Sequence, residues 1–407
     1  MEIVATNAPS NWLQRTARRK VLEVLQHIEH GCVTLHEGSL KQSFGAKDAD
    51  LHANIYIEDP GFYWAVLAGG SIGAAEAYVE GLWRCDNLTA VIQIFARAMA
   101  VVDKLEAGFA WLRMPIEKLR HVANRNSKAG SRTNIAAHYD LGNDMYQTFL
   151  DPHMQYSSAI FPDGDASLDC AQEHKLRVIC DQLELQPSDH LVEIGTGWGG
   201  LACYAAKHYG CKVTTTTLSK EQLVIAKQRA VDEGVAENIE FLLTDYRDMQ
   251  GRYDKLVSIE MIEAVGHEYL GGYFAKLNEL LKPGGKMLIQ AITIADQRYD
   301  AYRKGVDFIQ RYIFPGGCLP SLSEMLKHIK QRTQLNVTQL NSYARDYADT
   351  LLHWEKAFTG ASAQLTAMGY NRDFQRLWQF YFAYCEAGFR EETINLVHLQ
   401  ADKPRHL

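Results

Sequence analysis

The stretch Glu193-Ile-Gly-Thr-Gly-Trp-Gly-Gly200 sets glycines at 195, 197 and 199, where a short apolar run should give way to a helix. Glycine at these positions lets backbone amides approach a ligand with no Cβ in the way, which suits a nucleotide-containing cofactor. A dinucleotide site asks for G-x-G-x-x-G and an acid closing the second strand. Here the second strand closes on Thr217, Leu218, Ser219 and Gln222, and the acid, Asp245, follows the third strand beside Tyr246. That placement suits the adenine end of S-adenosylmethionine better than NAD. The other residue with evident chemistry is Glu263, inside the apolar run Met261-Ile-Glu-Ala-Val265. A carboxylate there is costly to bury without a partner.

The elements that must position these residues alternate. Short apolar strands at 190–195, 211–218, 239–246, 253–261 and 284–294 are separated by helical stretches such as 199–210 and 220–234, and 395–400 reads as an edge strand. This pattern predicts a doubly wound, parallel α/β sheet. The N-terminal part is smaller, mixed and mainly helical. Residues 11–30 place Leu13, Val21, Val24, Leu25 and Ile28 at helical spacing, 51–59 alternate as strand, 60–83 read as short helices broken at paired glycines, and 88–122 read as mainly helical. The polar stretch Asn124–Asn134 is the expected linker between an accessory domain at 1–123 and a catalytic domain at 124–407.

With 407 residues and 47% hydrophobic side chains, the chain has room for two or three domains, and disorder or coiled coil is a poor description of it. A net charge of −7 argues against a nucleic-acid binder. The eight cysteines form no C-x-x-C pair, so no metal is expected, and scattered thiols suit a reducing cytoplasm. The N-terminus lacks the apolar core of a signal peptide, and the apolar stretch 90–102, interrupted by Arg97, is too short to span a bilayer. Six basic residues against one acid between Arg113 and Arg132 mark either a solvated helix and linker or a patch for anionic lipid.

Further motifs carry a resemblance. Asn134–Asn143, Gln155-Tyr-Ser-Ser-Ala-Ile-Phe161, the Glu193 loop, Thr217–Gln222, Met261–His267, Tyr312–Ser321 and Tyr384-Cys-Glu-Ala-Gly-Phe-Arg390 run collinearly. Together they resemble the cyclopropane-fatty-acid synthase family, S-adenosylmethionine-dependent lipid methyltransferases that include the mycolic-acid cyclopropane synthases. Gly61-Phe-Tyr63 and Gly69–Gly73 through Trp83 look like the accessory domain of the full-length bacterial enzymes.

The resemblance implies a Rossmann-like methyltransferase sheet that transfers a methylene unit from S-adenosylmethionine to a cis double bond of an unsaturated phospholipid. It implies cofactor contacts from Tyr156, Ser157, Gly195, Gly197, Gly199, Thr217, Leu218, Ser219, Gln222, Asp245 and Tyr246. Tyr139, Tyr312 and Phe314 are candidates to face a carbocation. The base is a bound bicarbonate, with Glu263, the Ile292 backbone and Tyr347 as its holders. Cys385 matches the signature cysteine and either lines the lipid pocket or takes part in catalysis. His267 reads as structural, and His138 as a positioner of the cover segment. The family also implies a homodimer making peripheral contact with the inner face of the membrane.

Two positions depart from the bacterial pattern, Ser158 in place of cysteine and Gln290 in place of histidine. Both keep hydrogen-bonding ability, but neither changes charge near neutral pH. The alternatives are a methyl-branched or methylene product, methylation of a nitrogen or oxygen on a small molecule, and a silent lipid-binding relative.

Overall fold

The computed structural model describes residues 12–98, 142–162 and 166–406. Contacts divide the described chain into two units. The first takes 12–98, 306–311 and 355–393, and the second takes 142–162, 166–305, 312–354 and 394–406. The expected linker and the basic stretch at 113–132 lie outside the described residues. A single cut near residue 123 is nonetheless too simple, because two later segments belong to the first unit. The reason is apolar packing. The helix Arg372–Arg390 buries Trp378, Phe380, Tyr381, Phe382 and Phe389, and Arg376 donates to the carbonyls of Tyr78 and Trp83 at 2.6 and 3.0 Å.

Within the first unit, α1 (Trp12–Leu25) is followed by strands β1 (Cys32–Glu37), β2 (Leu40–Gly45), β3 (His52–Ile57) and β4 (Trp83–Cys85), in the order β2-β1-β3-β4. The first two strands are not evident in the sequence, since β2 is exposed along nearly its whole length and lacks an apolar face. Helix α2 (Gly61–Val79) is kinked at Gly70, where φ is +55°, as the paired glycines predict. A Cβ at Gly73 would lie 2.0 Å from the Ala65 carbonyl, so only glycine permits that turn-on-turn approach. Helix α3 (Leu88–Arg97) is capped by Asn87.

The second unit holds seven strands: β5 (His190–Ile194), β6 (Lys212–Thr216), β7 (Ile239–Leu242), β8 (Tyr253–Ile259), β9 (Leu281–Ile294), β10 (Asn336–Ser342) and β11 (Ile394–Asp402). Their order is β10-β11-β9-β8-β5-β6-β7, parallel from β9 to β7 and antiparallel at β11 and β10. The sheet is therefore a mixed one. β11 is not the edge strand its sequence suggests but an inner strand, and the polar β10 covers it. Met287, Leu288, Ile289 and Ala291 of β9 are fully buried in succession, the mark of a strand covered on both faces. Helices α4 (Leu168–Gln182), α5 (Gly200–Tyr209), α6 (Lys220–Asp232), α7 (Leu270–Leu280), α8 (Leu322–Arg332) and, up to Trp354, α9 (Ala344–Gly360) accompany it. The chain runs outward from β5 to β6 and β7 on one side, and through β8 to β9 on the other. The carboxyl ends of β5 and β8 thus flank a topological switch point, where open α/β sheets bind ligands.

Candidate active site

β8 ends at Ile259, and Glu260 turns the chain with φ +47°, a left-handed conformation that strains a residue bearing a Cβ. Its backbone N–H donates to the Gln290 carbonyl of β9 at 2.9 Å. The side chain enters the interior and meets three donors. Oε1 accepts from the Ser158 backbone N–H at 2.9 Å and from Gln290 Nε2 at 2.7 Å. Oε2 accepts from the Tyr347 hydroxyl at 2.7 Å. Burial pushes the Glu260 pKa up, and the Tyr347, Ser158 and Gln290 bonds, with the Lys175 charge, pull it part of the way back. The result is a half-buried carboxylate of raised basicity.

Lys175 reaches this region from α4. It is fully buried, and Nζ donates to Ser157 Oγ at 2.8 Å and to Gln155 Oε1 at 3.1 Å. Burial lowers its pKa to about 8. Three residues earlier on the same helix face, Gln172 Nε2 donates to the Ser157 carbonyl at 2.9 Å. The segment Gln155–Ser158 is thus pinned to α4 from two sides.

Glu263 sits in the single turn Ile262–Ala264. Oε1 accepts from the Ile292 backbone N–H at 2.6 Å, while Oε2 is buried without a hydrogen-bond partner. Burial, and after it the Glu260 charge, pushes its pKa up to about 8. Two carboxyl groups three residues apart thus differ in surroundings: Glu260 accepts three hydrogen bonds, whereas Glu263 accepts one and keeps an unpartnered oxygen.

The loop after β5 gives Gly195, Gly197 and Gly199 φ values of +103°, +52° and +85°. A Cβ at Gly199 would lie 2.9 Å from Ala226 Cβ, and one at Gly197 would meet nothing within 4 Å. The first glycine serves helix packing, and the second leaves open space over the loop. After β6, Ser219 caps α6 by accepting from the Gln222 N–H, and Thr217 Oγ1 donates to Gln222 Oε1 at 3.0 Å. After β7, the buried Asp245 accepts from Arg247 Nε and Nη2 at 2.7 and 2.6 Å, beside the Tyr246 ring. These residues line the carboxyl ends of three adjacent strands with glycine backbone, hydroxyl, amide and carboxylate groups. That set fits S-adenosylmethionine, whose amino-acid end, ribose and adenine need such partners.

Beside it stands an aromatic group. Tyr156 packs with Tyr146, Trp354, Phe149 and Phe314 at ring-centre distances of 5.2, 5.4, 6.2 and 6.3 Å. Tyr347 meets Trp354 edge-on at 6.2 Å, so the group extends to the hydroxyl on Glu260.

The family model described as mycolic acid cyclopropane synthetase matches residues 126–399. The chain belongs to this family. A tuberculostearic acid methyltransferase of Mycobacterium tuberculosis is 41% identical over 335 residues, covering 80% of this chain and 78% of its own. The cyclopropane-fatty-acyl-phospholipid synthase of Escherichia coli is 36% identical over 346 residues, covering 84% and 86%. Among solved structures, a mycolic acid cyclopropane synthase complexed with SAH and CTAB superposes with TM-score 0.63 at 30% identity, over 67% of this chain and 98% of that one. The protein is thus a methyltransferase of the cyclopropane synthase family, with the expected α/β methyltransferase fold.

For this family member, the residues expected to hold bicarbonate come together, but around a different group. The Ser158 N–H, Gln290 and Tyr347 end on Glu260, and the Ile292 N–H ends on Glu263. A bicarbonate does not fit, because its donors are already taken by protein carboxylates. Ser158 contributes through its backbone, its hydroxyl being turned to the Ala159 carbonyl. Tyr139 and His138 lie outside the described residues. Cys385 is on the Arg372–Arg390 helix of the first unit, where burial drives its thiol pKa far above the ordinary value. The side chain is half-buried, and it is the raised pKa that disfavours a nucleophilic thiolate. His267 Nδ1 pairs with the Tyr299 hydroxyl at 2.6 Å, as a structural histidine would. Sequence reasoning missed Glu260 and Lys175. The signal for Glu260 was an acid closing a buried strand at the sheet's ligand-binding edge.

Proposed function

We propose that this protein transfers a methylene unit from S-adenosylmethionine to the cis double bond of an unsaturated phospholipid acyl chain, with Glu260 as its built-in base. The single observation that carries this reading is the Glu260 carboxylate, which occupies the donor set where a bound anion was expected. S-adenosylmethionine, when bound, supplies an electrophilic methyl on a sulfonium. The glycine loop, Thr217, Ser219, Gln222 and Asp245 would hold it, with Tyr156 and Ser157 on the cover segment.

The acyl chain's π pair forms the new carbon–carbon bond as the methyl–sulfur bond breaks, leaving a carbocation on the chain. Tyr156, Phe314 and Trp354 supply ring faces to such a cation without capturing it. Glu260 Oε then takes a proton from the transferred methyl, and the freed C–H pair closes the ring. Exclusion of water from this region keeps the cation from being hydrated. Glu263, carrying its own proton, leaves Glu260 as the basic member of the pair.

A second reading has one observation in its favour: the relative of 41% identity is named a tuberculostearic acid methyltransferase. Removal of a proton with the new double bond left open would give a methylene-branched chain. Both readings place the substrate in a bilayer and the enzyme at the inner face of the membrane as a homodimer; among the described residues no helix is long and apolar enough to cross it.

The deciding experiment incubates the purified protein with methyl-deuterated S-adenosylmethionine and vesicles of a cis-unsaturated phospholipid. A cyclopropane keeps two of the three deuterons, loses the olefin and places both deuterons in the upfield ring region of the deuterium NMR spectrum. Deuterium in the exocyclic vinyl region instead would replace the first reading with the second. No label in the lipid would overturn both.

A further inference from the structure

Behind the Glu260 carboxylate lies a chain of polar side chains that the reaction just proposed does not use. The β9–β11 register sets His398 directly opposite Gln290. Both side chains are fully buried, and His398 Nε2 lies 2.8 Å from Gln290 Oε1. On the other side of the ring, Nδ1 lies 2.8 Å from Oε1 of Gln182, the last residue of α4. The Gln182 amide in turn reaches the Tyr343 hydroxyl at 3.5 Å, and the Tyr343 ring packs on the imidazole at 4.7 Å.

Counting donors leaves one arrangement. Glu260 accepts everything it touches, so Gln290 must turn its N–H toward it and its oxygen toward His398. His398 must therefore carry its proton on Nε2. A cationic ring would satisfy Nδ1 as a donor too, but burial, aided by the Lys175 charge, drives the His398 pKa down to about 3. Nδ1 is accordingly a bare acceptor. An oxygen facing that lone pair is repelled, so the Gln182 amide, whose two ends are nearly equal in shape, must turn over to direct its nitrogen to Nδ1 and its oxygen to the Tyr343 hydroxyl.

We infer that His398 is a positioning residue, held by Gln182 as the neutral Nε2–H tautomer so that Gln290 can present only a donor to Glu260. The histidine missing from β9 is in effect replaced from the neighbouring strand, one hydrogen bond further from the carboxylate. Its task is to keep Glu260 ionised. Were Gln290 to turn over, its oxygen would face Glu260 Oε1 and favour the protonated acid. The other groups facing this pair are the Tyr347 hydroxyl from α9, the Lys175 ammonium from α4, the protonated Glu263 and the Tyr343 hydroxyl. None of them can substitute for the Gln290 donor, since each is committed elsewhere or lies on another side.

This inference rests on Glu260 as base, and the test separates the two. In the full-length protein labelled with ¹⁵N-histidine, His398 should appear by NMR as the neutral Nε2–H tautomer from pH 8 down to pH 5. Gln182→Leu, at a half-buried helix end, removes the donor to Nδ1. It should move His398 toward the Nδ1–H tautomer and raise the acid limb of the kcat profile by about one pH unit. His398→Gln keeps a donor toward Gln290 and should leave that limb in place. A cationic or Nδ1–H ring in the unaltered protein overturns the inference, as does a Gln182→Leu variant with tautomer and limb unchanged. The expected tautomer in a protein that methylates no alkene overturns the Glu260 base alone.

Discussion

Gln290 Nε2 lies 2.7 Å from Glu260 Oε1, and the backbone N–H of Glu260 is bonded to the carbonyl of the same glutamine at 2.9 Å. One residue of β9 thus holds both ends of a strained glutamate. Strain of this kind persists only where surrounding contacts over-determine it. Replacing the acid by its amide should therefore change chemistry more than fold. Glu260→Gln is expected to lower kcat by about 10²–10⁴-fold, the usual worth of a general base. Cofactor affinity, measured by calorimetry with S-adenosylmethionine, should stay within a few-fold. Undiminished turnover would remove Glu260 from the reaction.

Bicarbonate dependence separates a built-in base from a bound one. The unaltered protein should turn over equally in carbonate-free buffer and in buffer with added bicarbonate. Glu260→Gly, comfortable at φ +47°, vacates the donor set of Ser158, Gln290 and Tyr347. That variant should be nearly inactive in carbonate-free buffer and regain turnover as bicarbonate is added. Loss of activity on scrubbing bicarbonate from the unaltered protein would restore the anion as base.

Much of this was readable in the residues, and the exceptions have physical causes. The Glu193 loop, the strand–helix alternation and the apolar β9 run are local patterns, and local patterns survive in sequence. Ser158, Gln290, Ile292 and Tyr347 were recognisable as a group through motif resemblance, although they lie far apart in the chain. What they surround was not recognisable. Glu260 closes an apolar strand and reads as a strand residue, while only a positive φ sends its side chain inward. His398 was hidden for a related reason, since its place depends on the β9–β11 register. A sequence pattern that marks β11 as an edge carries no register. The first unit drew in residues 355–393 because a helix chooses its partner by its apolar face, whichever side of a linker it stands on.

The thiols offer a direct check on Cys385. Among the eight cysteines, Cys170 is exposed, whereas burial raises the thiol pKa of Cys180, Cys203, Cys211 and Cys385. Thiolate is the reactive form, so iodoacetamide on the folded protein should label Cys170 first and spare Cys385. Peptide mapping by mass spectrometry reads this out. Turnover should survive that labelling, and Cys385→Ala should retain most of it. A kcat drop of 100-fold or more in Cys385→Ala, with an unchanged melting temperature, would return the thiol to the chemistry.

Stability should fall as pH rises from about 6.5 to 8. Glu193 is buried and Glu263 half-buried with its Oε2 shielded from solvent, and both are pushed to about 8, chiefly by desolvation. The folded protein keeps protons there that the unfolded chain releases near pH 4–5. Below the unfolded value both states hold the proton, and the neutral acid's contribution is fully present. Above it the native state binds more protons than the unfolded one, so stability is lost with pH until the folded value is passed. Buried histidines act in the opposite sense, His398 at about 3 most of all, but their contribution is complete by pH 6.5. Lys175, lowered to about 8, also opposes the trend, but mainly between pH 8 and 10.5. The interval from 6.5 to 8 therefore belongs largely to the two acids, on the order of 1 kcal/mol per pH unit for each. Melting temperature by calorimetry should decline across it. Glu193→Gln replaces one titrating group by a neutral amide of similar shape that still accepts from Thr215. Its melting curve should be visibly flatter with pH, and a slope equal to that of the unaltered protein would show that Glu193 is ionised in the fold.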